Sequence, residues 1–121
     1  MEKLTNKEEE IMRVLWKLKK AFVKEILAEL QHQELHYNTV STMVRNLEDK
    51  KYVSHNAFGK THQYYPIVSK EAYRDEFMDM ATKKFFDNSF KNVVSFFAKE
   101  EKVSAEELRE ILEIIEKGKK D

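Results

Sequence analysis

Ile11, Met12, Leu15 and Trp16 share one helical stripe behind Thr5-Asn6-Lys7-Glu8. That tetrad reads as a capping box, in which the Thr5 hydroxyl and the Glu8 carboxylate satisfy N–H groups left over at a helix start. Val23, Ile26, Leu27 and Leu30 repeat the i, i+3, i+4, i+7 spacing, and Val40, Met43, Val44 and Leu47 repeat it again. Asn38 is the expected cap of the third helix, whose end falls near Lys50-Lys51.

The period then changes. Tyr52-Val53-Ser54-His55-Asn56-Ala57 and Thr61-His62-Gln63-Tyr64-Tyr65-Pro66-Ile67 are rich in strand formers, and Phe58-Gly59-Lys60 lies between them. Gly59 suits a turn position of positive φ, so a two-stranded hairpin is expected. Adjacent Tyr64 and Tyr65 must face opposite sides, one toward the core. Three helices and a hairpin within ~65 residues outline a winged helix-turn-helix domain, here residues 1–68.

Residues 69–121 return to helical patterns. Ser69 caps a stretch carrying Tyr73, Phe77, Met80, Ala81, Lys84 and Phe85; Phe90, Val93, Val94 and Phe97 follow. Ser104-Ala105-Glu106-Glu107 forms a second capping box ahead of Leu108, Ile111, Leu112 and Ile115. Three helices totalling ~50 residues cannot bury so much Phe and Ile among themselves. A second copy of the chain satisfies such faces economically, which makes this half a dimerisation domain built on Phe77, Phe85, Val93, Phe97 and the last helix's stripe. Packing against residues 1–66 is the alternative. The expected fold is thus mainly α with a small β-hairpin wing, followed by a three-helix dimerisation domain.

Composition sharpens this picture. The 121 residues include no Cys, 2 Gly and 1 Pro, which excludes disulfides and thiol chemistry and favours helices over a loop-rich enzyme. No apolar run approaches the ~20 residues of a membrane span, and no signal-peptide core is present, so a cytoplasmic location without membrane insertion is expected. The 22 basic and 22 acidic side chains cancel, so any nucleic-acid contact must come from local patches. One such patch is the run Arg13, Lys17, Lys19, Lys20 and Lys24, uninterrupted by acids.

With Val40, Met43, Val44 and Leu47 against a core, Asn38, Thr42, Arg45 and Asp49 point outward, flanked by Ser41 and Asn46. Short hydroxyl and amide side chains let a helix approach a major groove; Thr39, Ser41 and Thr42 reach phosphates, whereas Asn or Arg pairs with base edges. Lys50 stands at the helix end, where it could reach a phosphate or simply complement the helix dipole. Lys60, His62 and Gln63 near the hairpin tip either straddle a phosphate backbone or face water.

The whole chain resembles the penicillinase/methicillin-resistance repressor family (BlaI/MecI/CopY). Four segments carry the resemblance: Thr5 to Trp16, Asn38 to Lys51, Gln63-Tyr64-Tyr65-Pro66, and Val93 to Glu101 with the Ser104 box behind it. The resemblance implies a dimeric repressor that occupies operator DNA. In the resistance branch it further implies release by proteolysis, through a sensor-linked protease, at a bond that aligns with Phe96-Phe97. This chain departs from that pattern at several places. Asn38, Ser41 and Asn46 stand where resistance repressors carry basic residues, and Arg45 stands where they have Thr. Lys51 replaces a common Gly, and Phe96 replaces the Asn before the cut. Absence of Cys excludes the cysteine-cluster copper sensing of the third branch.

Catalytic chemistry is not signalled. There is no nucleophile elbow, phosphate-binding Gly loop or HExxH, and no enzyme or cofactor is expected. His32 and His36 at i, i+4 lack a third ligand of sensible spacing, and Glu34 would point elsewhere, so no metal site is expected. The leading function is a DNA-binding repressor, with control of a beta-lactamase or related resistance or stress gene implied by the resemblance alone. A winged-helix adaptor that holds a protein, and a regulator sensing a ligand between the halves, are the other classes.

Overall fold

The computed structural model of the chain describes residues 1–30 and 35–118. Its elements run α1 (Asn6–Leu18), β1 (Ala21–Phe22), α2 (Val23–Glu29), α3 (Tyr37–Asp49), β2 (Val53–Phe58), β3 (Thr61–Pro66), α4 (Lys70–Phe85), α5 (Phe90–Lys99) and α6 (Ala105–Gly118). Two compact units divide the chain, Met1–Arg74 and Asp75–Asp121.

In the first unit, Ile11, Met12 and Leu15 from α1, Ile26 from α2, and Val40, Val44 and Leu47 from α3 are buried in one core. The stripes that amphipathic spacing marks are therefore the faces that meet. The Thr5 capping box is present, with Thr5 N–H donating to Glu8 Oε1 (2.9 Å) and Glu8 N–H to Thr5 Oγ1 (3.1 Å). α3 starts earlier than expected: its N-cap is His36, without a side-chain bond, and Asn38 lies inside the first turn. His36 caps by backbone conformation alone, its extended φ and ψ (−92°, 153°) turning its carbonyl onto Val40 N–H.

The sheet has three strands, not two, in the order β1-β3-β2. β2 and β3 form the hairpin, with Phe58 opposite Thr61 and Gly59-Lys60 as the loop. Gly59 has φ +63°, the left-handed value a tight hairpin asks of its first loop residue. β1 pairs antiparallel with β3, Ala21 opposite Tyr64 and Phe22 opposite Gln63. Two residues carry no alternation, so β1 leaves no periodic trace in sequence. Tyr64 is buried and Tyr65 half-buried, as neighbouring strand positions require.

The first turn of α4 is held on α1. Ser69 Oγ accepts from Ala72 N–H, Tyr73 donates to Glu9 Oε2 (2.7 Å), and Trp16 Nε1 donates to the Val68 carbonyl (2.9 Å). The Tyr73 ring packs against Trp16 and Tyr52. Burial and the Glu9 carboxylate hold the Tyr73 hydroxyl well above the usual phenol range.

In the second unit, Val93 and Thr82 are buried, and Phe86 meets Phe96 edge-on at 5.7 Å. Ser89 caps α5, accepting from Asn92 N–H, and the Ser104–Glu107 box opens α6 with both reciprocal bonds at 3.0 Å. None of the α6 residues is buried within the chain. Among the described residues no helix is long and apolar enough to cross a membrane.

Candidate nucleic-acid interface

α3 turns Val40, Val44 and Leu47 inward and leaves Asn38, Thr39, Thr42, Arg45 and Asn46 exposed, with Ser41 half-buried at the edge. Thr42 Oγ1 donates to the Asn38 carbonyl (2.9 Å) and accepts from Arg45 Nη2 (3.3 Å), which aligns the guanidinium along the helix. The helix is fixed to the wing by Glu48, whose Oε2 lies 2.6 Å from His55 Nδ1 on β2. His55 in turn stacks on His62 of β3, ring centroids 4.0 Å apart and 8° from parallel. Burial first, and the nearby Glu48 charge second, raise the pKa of Tyr64 behind this stack.

Between α3 and the wing opens a cleft of about 480 Å³. Ser41 and Arg45 line its helical side, and Lys60, Thr61 and His62 its wing side. Phe22, Val23, Lys24, Tyr37 and Tyr64 also line it. Glu25 is the one acid among the described lining residues, and its Oε1 is taken up by Phe22 N–H at 2.9 Å. The opening is therefore cationic, with aromatic walls.

The structure thus brings Ser41, Arg45, Lys60 and His62 to one opening. Asn38, Thr39, Thr42 and Asn46 stay on the exposed helix surface beside it. Lys50 is engaged elsewhere: its Nζ lies 2.7 Å from Glu8 Oε1 and 3.2 Å from the Lys3 carbonyl, so it ties α3 to the start of α1. Lys51 takes φ +66°, the left-handed turn for which Gly is the usual residue. Lys24, Phe22 and Tyr37 were not expected at this face. The basic run from Arg13 to Lys24 is the signal that could have found Lys24. Of that run Lys24 is the member that lines the cleft, whereas Arg13 pairs with Glu9 at 3.0 Å and Lys17 with Glu29 at 3.1 Å.

No group of three or more metal-ligating side chains occurs among the described residues, and His32 and Glu34 lie outside them.

Three helices, a three-stranded sheet and a polar third-helix face beside the hairpin define a winged-helix protein. The chain matches the penicillinase repressor family over residues 4–117 and belongs to it. It is 25% identical to the penicillinase repressor of Bacillus licheniformis over 117 residues, covering 96% of this chain and 91% of that one. It is likewise 25% identical to the methicillin resistance regulatory protein MecI of Staphylococcus aureus over 115 residues, 94% of each chain. Among solved structures, the DNA-binding domain of the repressor BlaI superposes with a TM-score of 0.53 at 27% identity, over 60% of this chain and 94% of that domain.

Proposed function

We propose that this chain is a dimeric transcriptional repressor that lays α3 in the major groove of a promoter operator and is held there by its wing. The observation that carries this reading is the exposed, small and polar face of α3, with Arg45 aligned on it, opening directly onto a cationic cleft. Short side chains allow close approach to base edges, and the cations meet phosphates. The names of the relatives, a penicillinase repressor and a methicillin resistance regulator, support a beta-lactamase or similar resistance gene as the target.

Dimerisation through the second unit is supported by its exposed apolar side chains. Phe77, Phe85, Leu112 and Ile115 are each at least half exposed in the single chain, and Ile111 is 40% exposed. Large apolar side chains left exposed in this number favour an association face. Two wings per dimer would double the contacts and set the spacing of two half-sites. Release would come from a sensor-linked protease cutting at Phe96-Phe97. That bond lies inside α5, so cleavage there waits on local opening of the helix.

A winged-helix adaptor that binds a protein is the second reading, supported by zero net charge and by exposed Tyr37 beside Arg45, both common interface anchors. Salt titration on a promoter duplex separates the two. A repressor loses affinity steeply between 50 and 200 mM salt, on the order of 10³-fold if six phosphates are neutralised. Indifference to DNA at low salt favours the adaptor.

A further inference from the structure

The cleft contains two features that base reading does not need. Lys24 and Lys60 come from different elements, one from α2 and one from the hairpin loop, yet line the same opening as Arg45. Neither has an ion-pair partner among the described residues. Beside them, Phe58 stands at the last position of β2 with 56% of its surface exposed, its ring edge-on to Phe22 at 5.7 Å. Phe22 is itself part of the cleft wall. An exposed aromatic, braced by a ring that lines the same opening as two lysines, matches the chemistry of a sugar–phosphate unit. The deoxyribose offers an apolar face and the phosphate a negative charge next to it.

We infer that Phe58, braced by Phe22, together with Lys24 and Lys60 forms a seat for one sugar–phosphate unit of the duplex backbone. This rests on the DNA-binding reading above and adds to it a set of contacts that carry no sequence information. The two lysines, from two different elements lining the opening, neutralise the phosphate. The Phe58 ring covers the adjoining deoxyribose and fixes how deeply the wing approaches. The seat therefore sets register and non-specific affinity, while the α3 face selects sequence. Two kinds of force act at one place, and salt tells them apart: cation–phosphate contacts release counterions, whereas packing of a ring on a sugar does not.

The test uses the full-length protein and a random-sequence duplex of about 30 base pairs, with binding followed by fluorescence anisotropy across a potassium chloride series. Lys24→Ala and Lys60→Ala are each expected to flatten the slope of log affinity against log salt by about 0.9 per protomer contact. Phe58→Ala is expected to weaken binding about three- to tenfold at every salt concentration with the slope unchanged, and Phe58→Leu to recover most of the loss. Lys99→Ala, in the second unit, serves as the control and keeps the wild-type slope. Equal denaturation midpoints establish that the variants are folded, and a variant that fails this check is replaced by Lys→Gln or Phe58→Leu. If the wild type binds with a steep slope and Lys24→Ala and Lys60→Ala match it, the seat is wrong while the repressor reading stands. Phe58→Ala binding as tightly as wild type overturns the sugar contact in the same way. Wild-type protein without salt-sensitive binding overturns the DNA reading itself.

Discussion

Arg45 is the one strong hydrogen-bond fork on the exposed face of α3, and Thr42 already holds it in place. If it meets a base edge, Arg45→Ala weakens operator binding by about 1–3 kcal/mol and leaves random DNA little affected. Equal losses on both duplexes would make it a phosphate contact instead. Glu8 is the other residue whose surroundings decide its behaviour. Burial pushes its carboxyl up, but hydrogen bonds from Lys50 Nζ and from the Thr5 backbone outweigh that and bring it below its ordinary 4.5. A carboxylate with a lowered folded-state pKa contributes stability above its unfolded value and loses it as pH falls through the folded one. Glu8→Gln keeps the capping box but removes the charge facing Lys50, so it should cost about 1–3 kcal/mol near pH 7. Denaturant titrations should show the gap between variant and wild type narrowing as the pH falls below about 4.5, where the unfolded chain protonates Glu8 before the folded one does. A gap that does not narrow at all as the pH falls below 4.5 would mean that the ion pair is not its source.

Elements show where local pattern suffices and where it stops. α1, α2 and α3 each bury the stripe that their spacing marks, because a helix of period 3.6 has one apolar face to hide. The hairpin follows from strand formers on either side of Gly59. The start of α3 moved from Asn38 to His36 because a helix can begin on backbone geometry without a capping side chain. α4 illustrates the opposite limit. Its register on the first unit depends on Tyr73 reaching Glu9, 64 residues away in the chain. Tyr73→Phe keeps the ring against Trp16 and Tyr52 but leaves the Glu9 carboxylate without that donor. A loss of about 1–2 kcal/mol in unfolding free energy is expected. An unchanged denaturation midpoint would show that ring packing alone holds the turn.

For the whole molecule, the central expectation is that residues of the second unit meet their counterparts in another copy. Leu112→Asp places an unpaired charge on the most apolar stripe of α6, and equilibrium sedimentation should then report monomer, with operator affinity falling sharply. A fully dimeric Leu112→Asp protein would remove α6 from the interface. Truncation after Phe96 tests release by the same two measurements: the shortened chain should neither dimerise nor bind as tightly as the intact one.

The order of helices and hairpin, the Thr5, Ser69 and Ser104 caps and the outward polar face of α3 were all legible in the chain, because each rests on neighbours within a few residues. The Lys51 turn was implied only by the family resemblance, through the Gly it replaces. Folding added what depends on residues far apart. It drew Ala21-Phe22 into the sheet as an edge strand, and of the basic run it brought Lys24 into the described lining of the cleft. It also turned Lys50 back to Glu8, 42 residues away, where it serves the fold of the amino-terminal turn. Periodicity assigns a side chain to a face, but which cations share one opening is set by how α2, α3 and the wing pack, and packing is not a local property of sequence.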